Sequence, residues 1–121
     1  MDDITGRGLR VRIYFGERDH APGALLGKPL WSALLEYLRR EGAAGATVWR
    51  GISGFGAHSR IHTASLVDLS SDLPLVLEWV DTQERVDALL PGLAAILEGT
   101  GGLLTTDPVE IHRYQAHQGR R

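Results

Sequence analysis

The chain has 121 residues, 43% of them apolar, a formal net charge of −2 and a pI near 6.2. This length suffices for one domain with a single core, and the charge argues against a dedicated nucleic-acid binder. Because cysteine is absent, disulfides and thiolate metal sites are excluded. No apolar run approaches the roughly 18 residues of a membrane span, and the N-terminus MDDITGRG has no signal-peptide pattern. We therefore expect a cytoplasmic protein.

The first elements follow from two different periodicities. Residues 9–15 alternate apolar and polar side chains, which predicts a strand with one buried face that ends at Gly16. Pro29 suits the first position of a helix, and Leu30, Leu34 and Leu38 then recur at helical spacing until Gly42. A second strand is predicted over residues 47–52.

The second half of the chain is predicted to form two more strands, a second helix and short closing strands. Residues 61–69 have a polar strand pattern, and residues 74–81 form a stronger apolar strand. Asp81 and Glu84 have the spacing of a capping box, which predicts a second helix that Pro91 should kink or interrupt. Short closing strands are predicted on either side of Pro108, followed by a polar tail over residues 114–121.

This order favours an α+β, ferredoxin-like βαββαβ sandwich with an extra strand, formed by one domain over residues 1–121 with its core over about residues 8–113. Both helices would cover one face of the sheet. On the other face, Val76 and Val80 alternate with Trp49 nearby, and the chain has no second helical layer to cover them. Self-association would bury that face.

The sequence RGISGFGAHSRIHT, residues 50–63, has the composition of an anion site. Three glycines lie within six residues beside arginines, and backbone amides and guanidinium groups suit phosphate oxygens. A tight hairpin turn explains the glycines equally well. The GERDH cluster at residues 16–20 follows the first strand, where it would contact a ligand or simply form a hydrogen-bonded turn. Arg50 alternates in phase with Val48, which predicts a partly buried stem.

The sequence gives weaker support to a metal site and to hydrolytic catalysis. His58 and His62, with His20, suggest a metal site, but their spacing does not converge on a strand and no HExxH pattern is present. Ser53 and Ser59 lie beside histidines without a GxSxG elbow, so hydrolytic catalysis is not supported and we expect a protein that is not an enzyme.

GERDH at residues 16–20, RGISGFGAHSRIHT at residues 50–63 and LSSDLPLVLEWVD at residues 69–81 together resemble the domain-of-unknown-function-190 family, which is similar to the PII signalling proteins. The resemblance implies a homotrimer that binds an adenine nucleotide between subunits and regulates a partner, with a membrane channel or transporter as the suggested partner class. The implied nucleotide ligands are Glu17, Arg18, Asp19, His20, Arg50, Gly51, Gly54, Phe55, Gly56, Arg60, Gly101 and Gly102.

The chain also departs from PII proteins. Its second glycine-rich loop, residues 98–104, contains no lysine or arginine, and no tyrosine occurs between Tyr37 and Tyr114 for covalent modification. Fewer compensating charges favour AMP or ADP over ATP. The alternatives are a divalent-metal trimer resembling the copper-tolerance proteins and a purely structural interaction module.

Overall fold

A computed structural model of the chain describes residues 5–23, 27–56, 62–63 and 72–117, with the backbone alone at residues 62–63. In chain order the strands are β1 (Gly6–Gly16), β2 (Thr47–Arg50), β3 (Ser53–Gly54), β4 (His62–Thr63), β5 (Pro74–Asp81) and β6 (Leu103–Ile111). The helices are α1 (Leu30–Arg40) and α2 (Gln83–Leu97). The predicted ferredoxin-like α+β order is confirmed.

The main sheet has four antiparallel strands in the order β2-β5-β1-β6, and β3 pairs separately with β4. Side chains on one face of β1 and β5 pack against both helices in a single core. The largest fully buried side chains in that core belong to Trp79, Ile13, Leu30, Leu34 and Leu38. The alternation predicted from residues 9–15 therefore points its apolar positions at the helices, and in the apolar strand predicted over residues 74–81 every second side chain is buried on that same face.

The opposite sheet face carries no helix among the described elements. The strand register aligns one row of apolar side chains across all four strands: Trp49, Val76, Tyr14 and Leu103. Tyr14, Trp49 and Leu103 are 38%, 45% and 59% exposed. Farther along the face, ion pairs join Arg10 to Asp107 at 2.7 Å and Arg12 to Glu78 at 3.0 Å. We call this surface the open face.

Several predicted details were wrong. β2 ends at Arg50 rather than at Ile52. The closing strands on either side of Pro108 are one continuous strand, β6. Proline is tolerated there because β6 pairs only with β1 in the described sheet, so its outer side needs no ladder donor. The strand predicted over residues 61–69 is described only at residues 62–63, and the rest of it lies outside the described residues.

The capping box predicted at Asp81 and Glu84 was also wrong. Thr82 is the N-cap of α2, and its hydroxyl accepts a hydrogen bond from the Arg85 backbone amide at 3.1 Å. Asp81 instead ends β5 with a fully buried carboxylate. Pro91 lies within α2 without interrupting it.

Tyr37 joins the two helices. Its hydroxyl donates a hydrogen bond to the Leu89 carbonyl at 3.0 Å, and it packs so closely on Gly92 that a Cβ there would overlap the ring. Burial, followed by the charge of Glu41, raises the pKa of Tyr37 above its ordinary value of 10.0. The neutral hydroxyl is therefore the form that the folded state favours.

We expect Tyr37→Phe to lower the free energy of unfolding by about 1 kcal/mol through the lost hydrogen bond. Because the folded-state pKa is raised, the stabilisation from neutral Tyr37 should be complete below pH 10 and lost as the pH rises through the folded-state pKa. Urea unfolding of both proteins from pH 7 to pH 11 measures this. A difference between them that stays constant above pH 10 would contradict the assignment.

Candidate functional site

A cleft of about 530 Å³ lies at one end of the sheet, where β1 ends and β5 begins. This volume is within the roughly 300–1,000 Å³ that is usual for small-molecule sites. Its wall comes from four parts of the chain: the end of β1, residues 54–56, the start of β5 with the preceding Asp72, and the turn between α2 and β6. The lining residues are Tyr14, Phe15, Gly16, Asp19, Gly54, Phe55, Gly56, Asp72, Pro74, Leu75, Val76, Thr100, Gly101 and Leu103.

The turn after α2 is fixed by Thr100. Its backbone amide and hydroxyl both donate to the Leu97 carbonyl, at 3.0 and 2.7 Å, and its hydroxyl accepts from the Gly102 amide at 3.1 Å. Gly101 has a φ of +82°, a conformation that favours glycine. The turn thus places Gly101 at the cleft, whereas Gly102 is not among the lining residues.

The glycines of the 50–63 segment have different structural reasons. A Cβ on Gly51 would lie 3.0 Å from Pro74 Cγ, and one on Gly54 would lie 3.2 Å from the same atom. The Gly51 amide also donates to the Pro74 carbonyl at 2.7 Å. A Cβ on Gly56, by contrast, would meet no described atom within 4 Å. Close packing on Pro74 therefore explains why glycine occupies positions 51 and 54. Gly56 instead lines the cleft and has open space beside it.

The GERDH cluster is a hydrogen-bonded turn that also presents Asp19 to the cleft. One Asp19 oxygen accepts from the Gly16 amide at 2.9 Å. Asp72 accepts from the Arg18 amide at 2.8 Å. Sequence reasoning missed Asp72, which lies next to Leu73 and Pro74; only its position just before an apolar strand could have indicated it. Both carboxylates line the cleft, and no arginine or lysine is among its described lining residues.

Arg50 differs from its prediction. Its side chain is 59% exposed rather than partly buried, because it extends from the edge strand β2 to an ion pair with Glu17. The Glu17 amide donates to the Leu73 carbonyl at 2.8 Å. Glu17 therefore contacts both ends of the connection between β2 and β5, at Arg50 through its side chain and at Leu73 through its backbone amide. Neither Arg50 nor Glu17 lines the cleft.

The remaining predicted residues are dispersed or not described. His20 is exposed, forms a bridge with Pro29 and is not among the residues that line the cleft, and Arg18 donates its backbone amide to Asp72. Arg60 and His58 lie outside the described residues, and of His62 only the backbone pairing with Gly54 is described. Within the described ranges, no three metal-ligating side chains come together.

The family model of domain of unknown function 190, described as an uncharacterized ACR, matches residues 8–111. The chain belongs to this family. A UPF0166 protein of Methanocaldococcus jannaschii is 34% identical over 97 residues, which cover 80% of this chain and 85% of that protein. A UPF0166 protein of Aquifex aeolicus is 36% identical over 101 residues, covering 84% and 90%.

Solved structures place this family member in the PII-like fold. CPII of Thiomonas intermedia, a nitrogen regulatory PII-like protein bound to ADP, AMP and bicarbonate, is 19% identical with a TM-score of 0.66, covering 88% of this chain and 90% of CPII. A PII-like signalling protein of Thermus thermophilus is 17% identical with a TM-score of 0.62, covering 91% and 93%. The PII-like expectation is confirmed as a fold. In the described part of the family member, neither helix is long and apolar enough to cross a bilayer.

Proposed function

We propose that this protein is a non-enzymatic, trimeric PII-like sensor that binds an adenine nucleotide, AMP or ADP in preference to ATP, and regulates a partner protein. The observation that carries the proposal is the cleft, where segments from both halves of the chain converge on one small-molecule-sized space. CPII, which shares the fold, was solved with ADP and AMP bound. That likeness supports the ligand class.

The chemistry of the cleft suits a nucleoside. Phe55, which is 71% exposed, and Tyr14 offer aromatic surface on which a base would stack. Asp19 and Asp72 offer acceptors for hydroxyl or amino groups. Thr100 and Gly101 also line the cleft. An apolar cavity with a few convergent polar groups is the usual form of a ligand site.

The open face supports the trimer and the position of the cleft within it. Tyr14, Val76 and Leu103 belong both to the apolar row on that face and to the wall of the cleft. A second subunit that covers the row would therefore also close the cleft. This is the arrangement expected of a site between subunits, because burial of the exposed tryptophan and tyrosine would stabilise the assembly.

The partner is proposed by class only. The connection between β2 and β5 leaves the sheet beside the cleft, so a bound ligand would contact the base of this connection at Gly54 and Gly56. A ligand that binds one arrangement of the connection better than another would shift its population. We propose that a partner protein, such as a membrane channel or transporter contacted from its cytoplasmic side, responds to this difference.

Calorimetric titration with AMP, ADP and ATP tests the proposal, together with light scattering to measure the mass of the assembly. We expect a trimer that releases heat with AMP or ADP and gives no phosphate release from ATP or ADP. A protein that gives no heat with any of the three would contradict nucleotide sensing and leave the structural interaction module. Metal analysis of protein purified without a histidine tag tests the divalent-metal alternative.

Gly56→Leu should weaken nucleotide binding at least tenfold while leaving the free energy of unfolding within about 0.5 kcal/mol of wild type. The reason is that the new side chain would extend into the space beside the cleft, and its Cβ would meet no described atom within 4 Å. Calorimetric titration and urea unfolding measure the two quantities. Gly45→Leu is the matched control, because a Cβ there also meets no described atom within 4 Å and Gly45 is not among the residues that line the cleft. Equal affinity in both variants would contradict the site.

A further inference from the structure

We infer that Asp19 and Asp72 make this cleft select against negative charge, so that an adenine ligand, if the proposed function holds, enters with its uncharged nucleoside end. The cleft would then rank ligands by their charge, with adenosine and AMP ahead of ADP and ATP. Phosphate groups would lie toward the mouth of the cleft, away from these two carboxylates.

The two carboxylates are held side by side at the end of β1. Oxygens of both Asp72 and Asp19 lie within 3.3 Å of the point where a Cβ of Gly16 would be. Each is fixed by a backbone amide, Asp19 by that of Gly16 and Asp72 by that of Arg18. The absence of a side chain at Gly16 is therefore what allows the two acids to approach the same point.

No described cation neutralises this pair inside the cleft. The nearest candidate by sequence, Arg18, extends an exposed side chain and contributes its backbone amide, while Arg50 is committed to Glu17 outside the cleft wall. Like charges in a partly enclosed site repel more strongly than in bulk water. Each added phosphate charge on a ligand should therefore cost affinity unless the group stays at the mouth.

The same acids favour groups that donate hydrogen bonds. Two ionised carboxylates are pure acceptors, and each keeps one oxygen that accepts from no described backbone amide. A ribose diol or an exocyclic amine supplies the matching donors. Hydrogen bonds to a charged acceptor are stronger than those between neutral groups. Both effects point the nucleoside toward Asp19 and Asp72.

Calorimetric titration with adenosine, AMP, ADP and ATP in EDTA, at constant ionic strength, tests this inference with wild type, Asp72→Asn and Asp19→Asn. Asparagine keeps one acceptor oxygen for the backbone amide, removes the charge and replaces the second oxygen by an NH₂ donor. EDTA is included because a divalent cation would mask the repulsion. Asp87→Asn is the matched control, since it removes the same charge from the exposed side of α2, where Asp87 accepts from Gln83.

We expect wild-type affinity to fall from AMP to ATP, and Asp72→Asn to raise ATP affinity relative to adenosine by at least about threefold, a change for which a single nearby charge suffices. Asp87→Asn should leave the ranking unchanged. If wild type binds ATP most tightly and both pocket variants leave the ranking as it was, charge selection is wrong while nucleotide binding stands. If none of the four ligands binds, the proposed function fails and this inference with it.

Discussion

Asp81→Asn is expected to lower the free energy of unfolding by about 2–4 kcal/mol. The Asp81 carboxylate is fully buried and accepts from the Ala44 amide at 2.8 Å, the Trp79 indole at 2.9 Å and the Thr82 amide at 2.9 Å. Arg85 lies 3.9 Å away as its ion-pair partner. An asparagine has one acceptor oxygen where the carboxylate has two, so one donor would face an NH₂ group and Arg85 would lose its counter-charge.

Urea unfolding followed by circular dichroism measures this effect, and tryptophan fluorescence, to which Trp79 contributes with Trp31 and Trp49, is a second probe. Asp87→Asn serves again as the control, because it changes the same atoms on the exposed surface and should cost less than about 0.5 kcal/mol. Equal stability of the two variants would contradict the view that Asp81 joins β5, α2 and the residues after α1.

Val76→Glu is expected to separate the proposed trimer into folded monomers and to remove nucleotide binding. Val76 lies between Trp49 and Tyr14 in the apolar row of the open face. The glutamate side chain of the variant would stay hydrated in a monomer. On assembly it would lose its water without gaining a cationic partner in that row. The repulsion and desolvation should amount to several kcal/mol, which weakens association roughly 100-fold or more.

Light scattering measures the mass, circular dichroism confirms that the monomer is folded, and calorimetry with AMP measures binding. Ala94→Glu on the exposed surface of α2, in the other layer, is the control and should remain a trimer that binds AMP. A Val76→Glu protein that keeps the mass and affinity of wild type would show that the open face is not the interface.

The secondary structure was largely predictable, because periodicity depends on which side chains must be buried. Residues 9–15 alternate with period two, residues 74–81 form an apolar run, and the structure buries the expected side of each strand. The errors occur where a neighbour in space decides the outcome. Pro108 breaks a strand only if both sides of that strand are paired. Asp81 would cap α2 only if Ala44 and Trp79 did not already bind its carboxylate.

The lining of the candidate site was predictable in part. Asp19, Gly54, Phe55, Gly56 and Gly101 were expected from local composition and the family resemblance, and all line the cleft. Asp72 was missed because nothing local distinguishes it from any polar residue before a strand. Arg50 was expected to be partly buried, but strand phase alone does not show that an edge strand leaves its side chain in contact with Glu17.

By itself, then, the sequence determined the order of strands and helices, the side of the sheet that the helices cover and the family, because these depend on local patterning and on motifs. Three features were decided only by the tertiary structure. Asp19 and Asp72 meet beside Gly16, Pro74 packs against Gly51 and Gly54 so closely that it leaves little room for a Cβ, and one apolar row crosses the open face. Those features depend on how the strands align, which brings together residues far apart in the chain, such as Arg18 and Asp72, 54 positions apart. The cleft depends on the sequence motifs and on the tertiary structure. Local motifs supplied most of the residues that line it, and the alignment of the strands brought the carboxylates of Asp19 and Asp72 together there.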